Sequence, residues 1–84
     1  MKTIITRTFQ EKRITIDTGK GSFSWLEIKE GRKKIGTISE QKDGLFLVST
    51  KEGTATYRQT KEACQAWLQI VHQNPFCETI FNWK

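Results

Sequence analysis

A chain of 84 residues can build one small core but not two, because a chain this size buries roughly 60 to 65% of the surface its unfolded form exposes. With 36% hydrophobic and 27% charged residues and a single proline, it is neither disordered nor collagen-like, and no stretch approaches the roughly 20 apolar residues of a membrane span. The net charge of +5 is unevenly placed: residues 1 to 42 hold ten Lys/Arg against five Asp/Glu, and residues 43 to 84 hold four against four. The whole positive excess therefore lies in the first half, where it sets up a field that attracts anions such as nucleic acid or an acidic protein.

The opening "MKTIITRTFQEKRITI" lacks the continuous apolar segment of a secretory leader. Cys64 and Cys77 suit reduced thiols, with a bridge between them left open. A cytoplasmic protein with no membrane partner is the expectation.

In chain order, "TIITRTF" (3 to 9) and "RITIDT" (13 to 18) read as two strands joined through Gln10, Glu11 and Lys12. "TGKGS" (18 to 22) is a turn or loop. "FSWLEIKE" (23 to 30) and "KKIGTIS" (33 to 39) flank Gly31-Arg32, whose glycine in first position suits a type II′ hairpin turn. "EQKDG" (40 to 44) leads to the short apolar strand "LFLVST" (45 to 50), and "KEG" (51 to 53) turns into "TATYRQ" (54 to 59). Four strands in succession with short links form an antiparallel meander.

The period changes at Thr60. In "TKEACQAWLQIVHQN" (60 to 74), Ala63, Trp67, Ile70 and Val71 recur at helical spacing, widened by Cys64 and Leu68. Thr60 is a good N-cap, Glu62 suits the positive end of the helix dipole, and Asn74-Pro75 is a stop. The tail "FCETIFNWK" (76 to 84) fits a helix through Phe76 and Ile80 and a strand through Cys77, Thr79, Phe81 and Trp83, so both conformations stay open. Its aromatic content implies docking on the domain or on a partner.

The expected fold is a single α+β domain over residues 1–84. It is an antiparallel β-meander of five to six strands with one amphipathic helix, about 60–74, packed on one face. The leading core candidates are Leu26, Ile28, Ile35, Leu45, Leu47, Tyr57, Ala63, Trp67, Leu68 and Val71. Ile38, Phe46 and Val48 are the alternates if the opposite strand faces are buried.

Catalysis and metal binding find little support in the residues. His72 is the single histidine, and its position near the helix end is that of a polar or C-terminal helix residue. Cys64, His72 and Cys77 have spacings that match no usual zinc pattern, and "GKGS" lacks the strand, spacing and helix of a phosphate loop. A non-enzymatic protein without cofactor or metal is expected.

Binding is better supported. Alternation in residues 23 to 30 places Leu26 and Ile28 on one face and Trp25, Glu27 and Lys29 on the other. A tryptophan among cations can stack on bases or pack on a partner, and it can equally cover lysine stems.

The run from "GRKKIGTI" through "GLFLVST" to "TYRQTKEACQAWLQIV" resembles the three-strand-plus-helix DNA-binding modules of the AP2 and phage-integrase arm-binding type. Thr60, Glu62, Ala63, Ala66 and Trp67 match the helix start, and the resemblance spans about half the chain. It implies a basic sheet that contacts DNA, with Arg32, Lys33 and Lys34 on phosphates and Trp25, Lys29 and Arg58 nearer the groove. The chain departs from that pattern in its extra N-terminal strands and aromatic tail. The competing expectation is a protein-interaction module or small regulator or inhibitor. It would bind a protein partner, or form a homodimer, through Phe76, Phe81 and Trp83 or an exposed strand edge.

Overall fold

The computed structural model describes residues 3–84. Its elements are β1 (Ile4–Asp17), β2 (Ser22–Glu30), β3 (Lys33–Glu40), β4 (Phe46–Thr50), β5 (Ala55–Arg58), α1 (Lys61–His72) and β6 (Glu78–Trp83). They form one six-stranded sheet in the order β5-β4-β3-β2-β1-β6, with α1 across one face.

The meander from β1 to β5 is antiparallel throughout, set by its short turns. At the β2–β3 turn Gly31 has φ of 62°, while no residue other than glycine has positive φ among those described. This is the requirement of a type II′ turn with Gly31 first and Arg32 second.

Two expectations about strands are corrected. The segments 3 to 9 and 13 to 18 are one continuous strand, because Gln10, Glu11 and Lys12 contain no turn former and pair with Lys29, Ile28 and Glu27. The sheet is also not wholly antiparallel, since the tail becomes β6 and runs parallel to β1 from Ile4↔Glu78 to Phe9↔Trp83. The helix carries the chain from the β5 edge back over the sheet and returns it where β1 begins, with the Glu78 amide donating to the Thr3 carbonyl at 3.0 Å. From that point the tail can lie beside β1 only in the same direction.

Thr60 caps α1 as expected, its Oγ1 accepting from the Ala63 amide at 3.1 Å. Its buried face differs from the expected stripe: Cys64 and Leu68 are buried, Ile70 is 71% exposed and Val71 44% exposed. Polar contacts at both ends orient it. Glu11 accepts hydrogen bonds from Lys61, at 3.3 Å, and from Gln65, while Arg7 Nη1 donates to the His72 carbonyl at 3.0 Å, satisfying a carbonyl that the helix end leaves without a partner. These contacts turn the 61-65-68-72 row toward the sheet.

The buried core is Phe9, Ile28, Ile35, Ile38, Val48, Cys64 and Leu68, joined by Leu26, Phe46, Trp67, Phe81 and Trp83. The alternates Ile38, Phe46 and Val48 thus face the helix, and the expected core residues Leu47 and Tyr57 lie on the opposite face, Tyr57 57% exposed. Phe9 sits between the rings of Phe81 and Trp83, with centroids 5.4 Å from each.

A bulge between the 28↔36 and 29↔34 pairs brings Ile35 into this core. Gly36 follows it, where an added Cβ would overlap the Ser49 carbonyl oxygen on β4. Cys64 and Cys77 are free thiols, and burial pushes the Cys64 thiol up despite the opposing pull of Arg58. No helix among the described residues is long and apolar enough to cross a membrane.

The molecule measures 57 × 26 × 21 Å, and its length comes from β1 and β2. β3 pairs with β2 from Leu26 onward, and β6 pairs with β1 only as far as Phe9. Residues 13–17 and 22–25 therefore project as a two-stranded arm ending in the Thr18–Gly21 turn.

Candidate binding face

Alternation along each strand assigns every side chain of the sheet to one of two faces. Opposite α1, β1 presents Lys12, Ile14 and Ile16, β2 presents Phe23, Trp25, Glu27 and Lys29, and β3 presents Lys34, Thr37 and Ser39. Leu47 and Ser49 of β4 and Ala55 and Tyr57 of β5 complete the face. No described element covers it.

Across β1 to β5 this open face is apolar toward the arm and cationic toward the β2–β3 turn. Trp25 pairs with Ile14 and Phe23 with Ile16, with Phe23 64% and Ile16 48% exposed. Two to six residues further along β2 come Glu27, opposite Lys12, and Lys29, opposite Lys34. Glu27 is the one carboxylate among these positions, 3.9 Å from Lys29.

The remaining carboxylates of the first half lie off this face. Glu30, on the helix side, accepts from Arg7 Nε at 2.9 Å and Nη2 at 2.7 Å, a bidentate pair that holds its carboxyl below the usual range, with burial opposing. The same bond raises Arg7, whose guanidinium also lies 5.3 Å from the Phe9 ring centroid. Glu11 serves Lys61 and Gln65, and Asp17 accepts the Gly19 amide at 3.0 Å in the arm turn. Glu40 pairs with Phe46 on the helix side. The fold thus separates charge that the sequence interleaves, leaving the open face net positive.

The residues expected to bind anions are partly brought together. Trp25, Lys29 and Lys34 share the open face, and Arg32 is exposed in the turn beside them. Lys33 pairs with Glu30 and leans to the helix side. Arg58 is also on the helix side, paired with Phe46 and donating at 2.8 Å to Thr56 Oγ1 and to the Tyr57 carbonyl. Of the aromatic tail, Phe81 and Trp83 pack on Phe9, and Phe76 is 91% exposed. Phe23 and Lys12 escaped the sequence reading, although the alternation that singled out Trp25 places Phe23 on the same face.

Other features offer less. A shallow groove at the end of α1 is lined by Arg7, Glu30, His72, Asn74 and Phe76, but its two charged groups already neutralise each other. His72 Nδ1 donates to the Leu68 carbonyl at 2.8 Å and its ring packs edge-on against Phe9, roles that hold the helix end. Among the described residues no three His, Cys, Asp or Glu side chains converge as metal ligands.

No family model, curated protein or solved structure matches this chain.

Proposed function

We propose that this protein is a non-enzymatic binding module that takes nucleic acid on the open face of its sheet. The observation that carries the reading is the charge separation: Lys12, Lys29 and Lys34 stand against Glu27 alone on the open face of β1 to β5, with Arg32 at its border. The resemblance to three-strand-plus-helix DNA-binding modules leads in the same direction. Phosphate contacts from these four cations supply affinity without sequence choice.

A salt titration followed by fluorescence anisotropy tests this. With about four phosphates neutralised, log K falls against log salt with a slope of about −3.6 on duplex or −2.8 on a single strand. A Lys12→Glu, Lys29→Glu, Lys34→Glu variant that stays folded loses that binding. A slope near zero, or unchanged binding by the variant, overturns the reading.

The second reading, a protein-interaction module that self-associates, is favoured by one observation, the exposed Ile16 and Phe23 pair on the projecting arm. It expects a solution mass above one chain, checked by sedimentation, and little affinity for nucleic acid.

A further inference from the structure

We infer that the strand received by this face is single, with unpaired bases stacked on Phe23, Trp25 and Tyr57, an inference that rests on the nucleic-acid reading above. Phe23 and Tyr57 are 64% and 57% exposed, far more than large aromatic side chains need be in a chain with a core to fill. They lie on the same uncovered face as Trp25.

Their spacing suits a platform. Phe23 and Trp25 are two residues apart on one strand, about 7 Å, and Tyr57 stands three strands away, about 14 Å. Ile14 and Ile16 flank the first two rings from β1, and Leu47 adjoins Tyr57 on β4, giving the rings an apolar floor. Lys12, Lys29 and Lys34 line one side of this floor, placed to follow a phosphate backbone while the bases turn inward.

The same side chains are poorly suited to reading the bases of a duplex. Reading paired bases requires hydrogen-bonding groups aimed at base edges. Here the hydroxyls between Trp25 and Tyr57 are partly taken up within the sheet: Thr37 Oγ1 and Ser49 Oγ share a hydrogen bond of 2.8 Å, and Ser39 Oγ accepts from Gln41 at 3.1 Å. What remains is flat apolar surface, and a base offers its own flat face only when it is unstacked from its neighbours. Stacking is indifferent to base identity, so little sequence preference is expected.

The test compares labelled oligothymidine, oligouridine and a duplex of equal length on the full chain, with Phe23→Ala and Tyr57→Ala variants checked for folding by thermal melting. Both substitutions fall on exposed side chains, so the folded state survives them even where Trp25→Ala does not. The expected result is a preference for single strands of about tenfold or more, a loss of about tenfold for each aromatic removed, and an unchanged salt slope. The thymidine and uridine arms compare a DNA strand with an RNA strand.

Duplex bound as tightly as single strands, with both variants silent, overturns the stacking inference and leaves the nucleic-acid reading standing. Absence of binding to any strand overturns both. A dimer that Phe23→Ala converts to monomer, with no strand bound, assigns the face to a second copy of the chain and likewise overturns the inference.

Discussion

The helix side and the open face of the sheet are built from alternate residues of the same strands, yet they treat charged and aromatic groups in opposite ways. On the helix side, Glu11 and Glu30 are tied to Lys61, Gln65 and Arg7, and the aromatics Phe9, Phe81 and Trp83 pack on one another. On the open face of β1 to β5 Lys12, Lys29 and Lys34 face a single carboxylate, and Phe23 and Tyr57 meet solvent. The difference teaches that the packing that stabilises the fold lies on one side of the pleat, while the other side is left with exposed cations and aromatics. Substitutions two residues apart should therefore agree in effect, and substitutions one residue apart should not.

The sharpest way to break that contrast is at Leu68, fully buried on the helix side. Leu68→Ala should destabilise by about 3 kcal/mol and lower the melting temperature by about 15 °C in a calorimetric scan. A loss as small as that of an open-face variant would mean the helix is not the cover of this core.

Next comes Gly36, where a Cβ would overlap the Ser49 carbonyl. Gly36→Ala forces β3 and β4 apart at the bulge and should destabilise by about 2 kcal/mol in urea denaturation, whereas Gly19→Ala in the open arm turn, with only its positive φ to strain, should lose about 1 kcal/mol.

Arg7→Ala removes the partner of Glu30 and of the His72 carbonyl together, and should destabilise by about 1.5 kcal/mol at neutral pH. Its pH dependence has a defined sign. Glu30 titrates lower in the folded chain than in the unfolded one, so the stability it contributes is present above the unfolded value, near pH 4.3, and is lost as pH falls through the folded value. The stability difference between wild type and variant should therefore narrow as the pH falls below about 4, leaving the share due to the His72 carbonyl, which a denaturation series across that range measures.

The smallest effect is expected on the open face. Phe23→Ala should change folding stability by less than about 0.5 kcal/mol. Backbone amides of the arm, residues 13–17 and 22–25, should exchange with solvent faster than those of β3 and β4, because an isolated two-stranded ribbon is marginal on its own. Slow arm exchange in a monomer would remove the distinction between the arm and the body.

The candidate face was half legible in the residues. Alternation around Trp25 correctly separated Trp25, Glu27 and Lys29 from Leu26 and Ile28, because that rule depends on neighbours in one strand. Arg58 was misplaced because grouping it with Lys29 requires the register across three other strand pairings, which no local pattern contains. Phe81 and Trp83 were visible as apolar groups needing cover, but their cover is Phe9, more than 70 residues away from either in the chain.

What the sequence determined by itself is what short-range physics controls: the Thr60 cap and the helix after it, the Gly31-Arg32 turn, and the antiparallel links from β2 to β5. Each depends on backbone preferences and side-chain hydrogen bonds within a few residues. The tertiary structure alone decided that β1 is one strand with different partners along its two halves, and that the tail lies parallel to it. It also decided that Cys64 and Leu68, rather than Ile70 and Val71, turn inward. These outcomes depend on which distant surfaces meet, and both strand alternation and helical period are compatible with either face until a partner surface selects one.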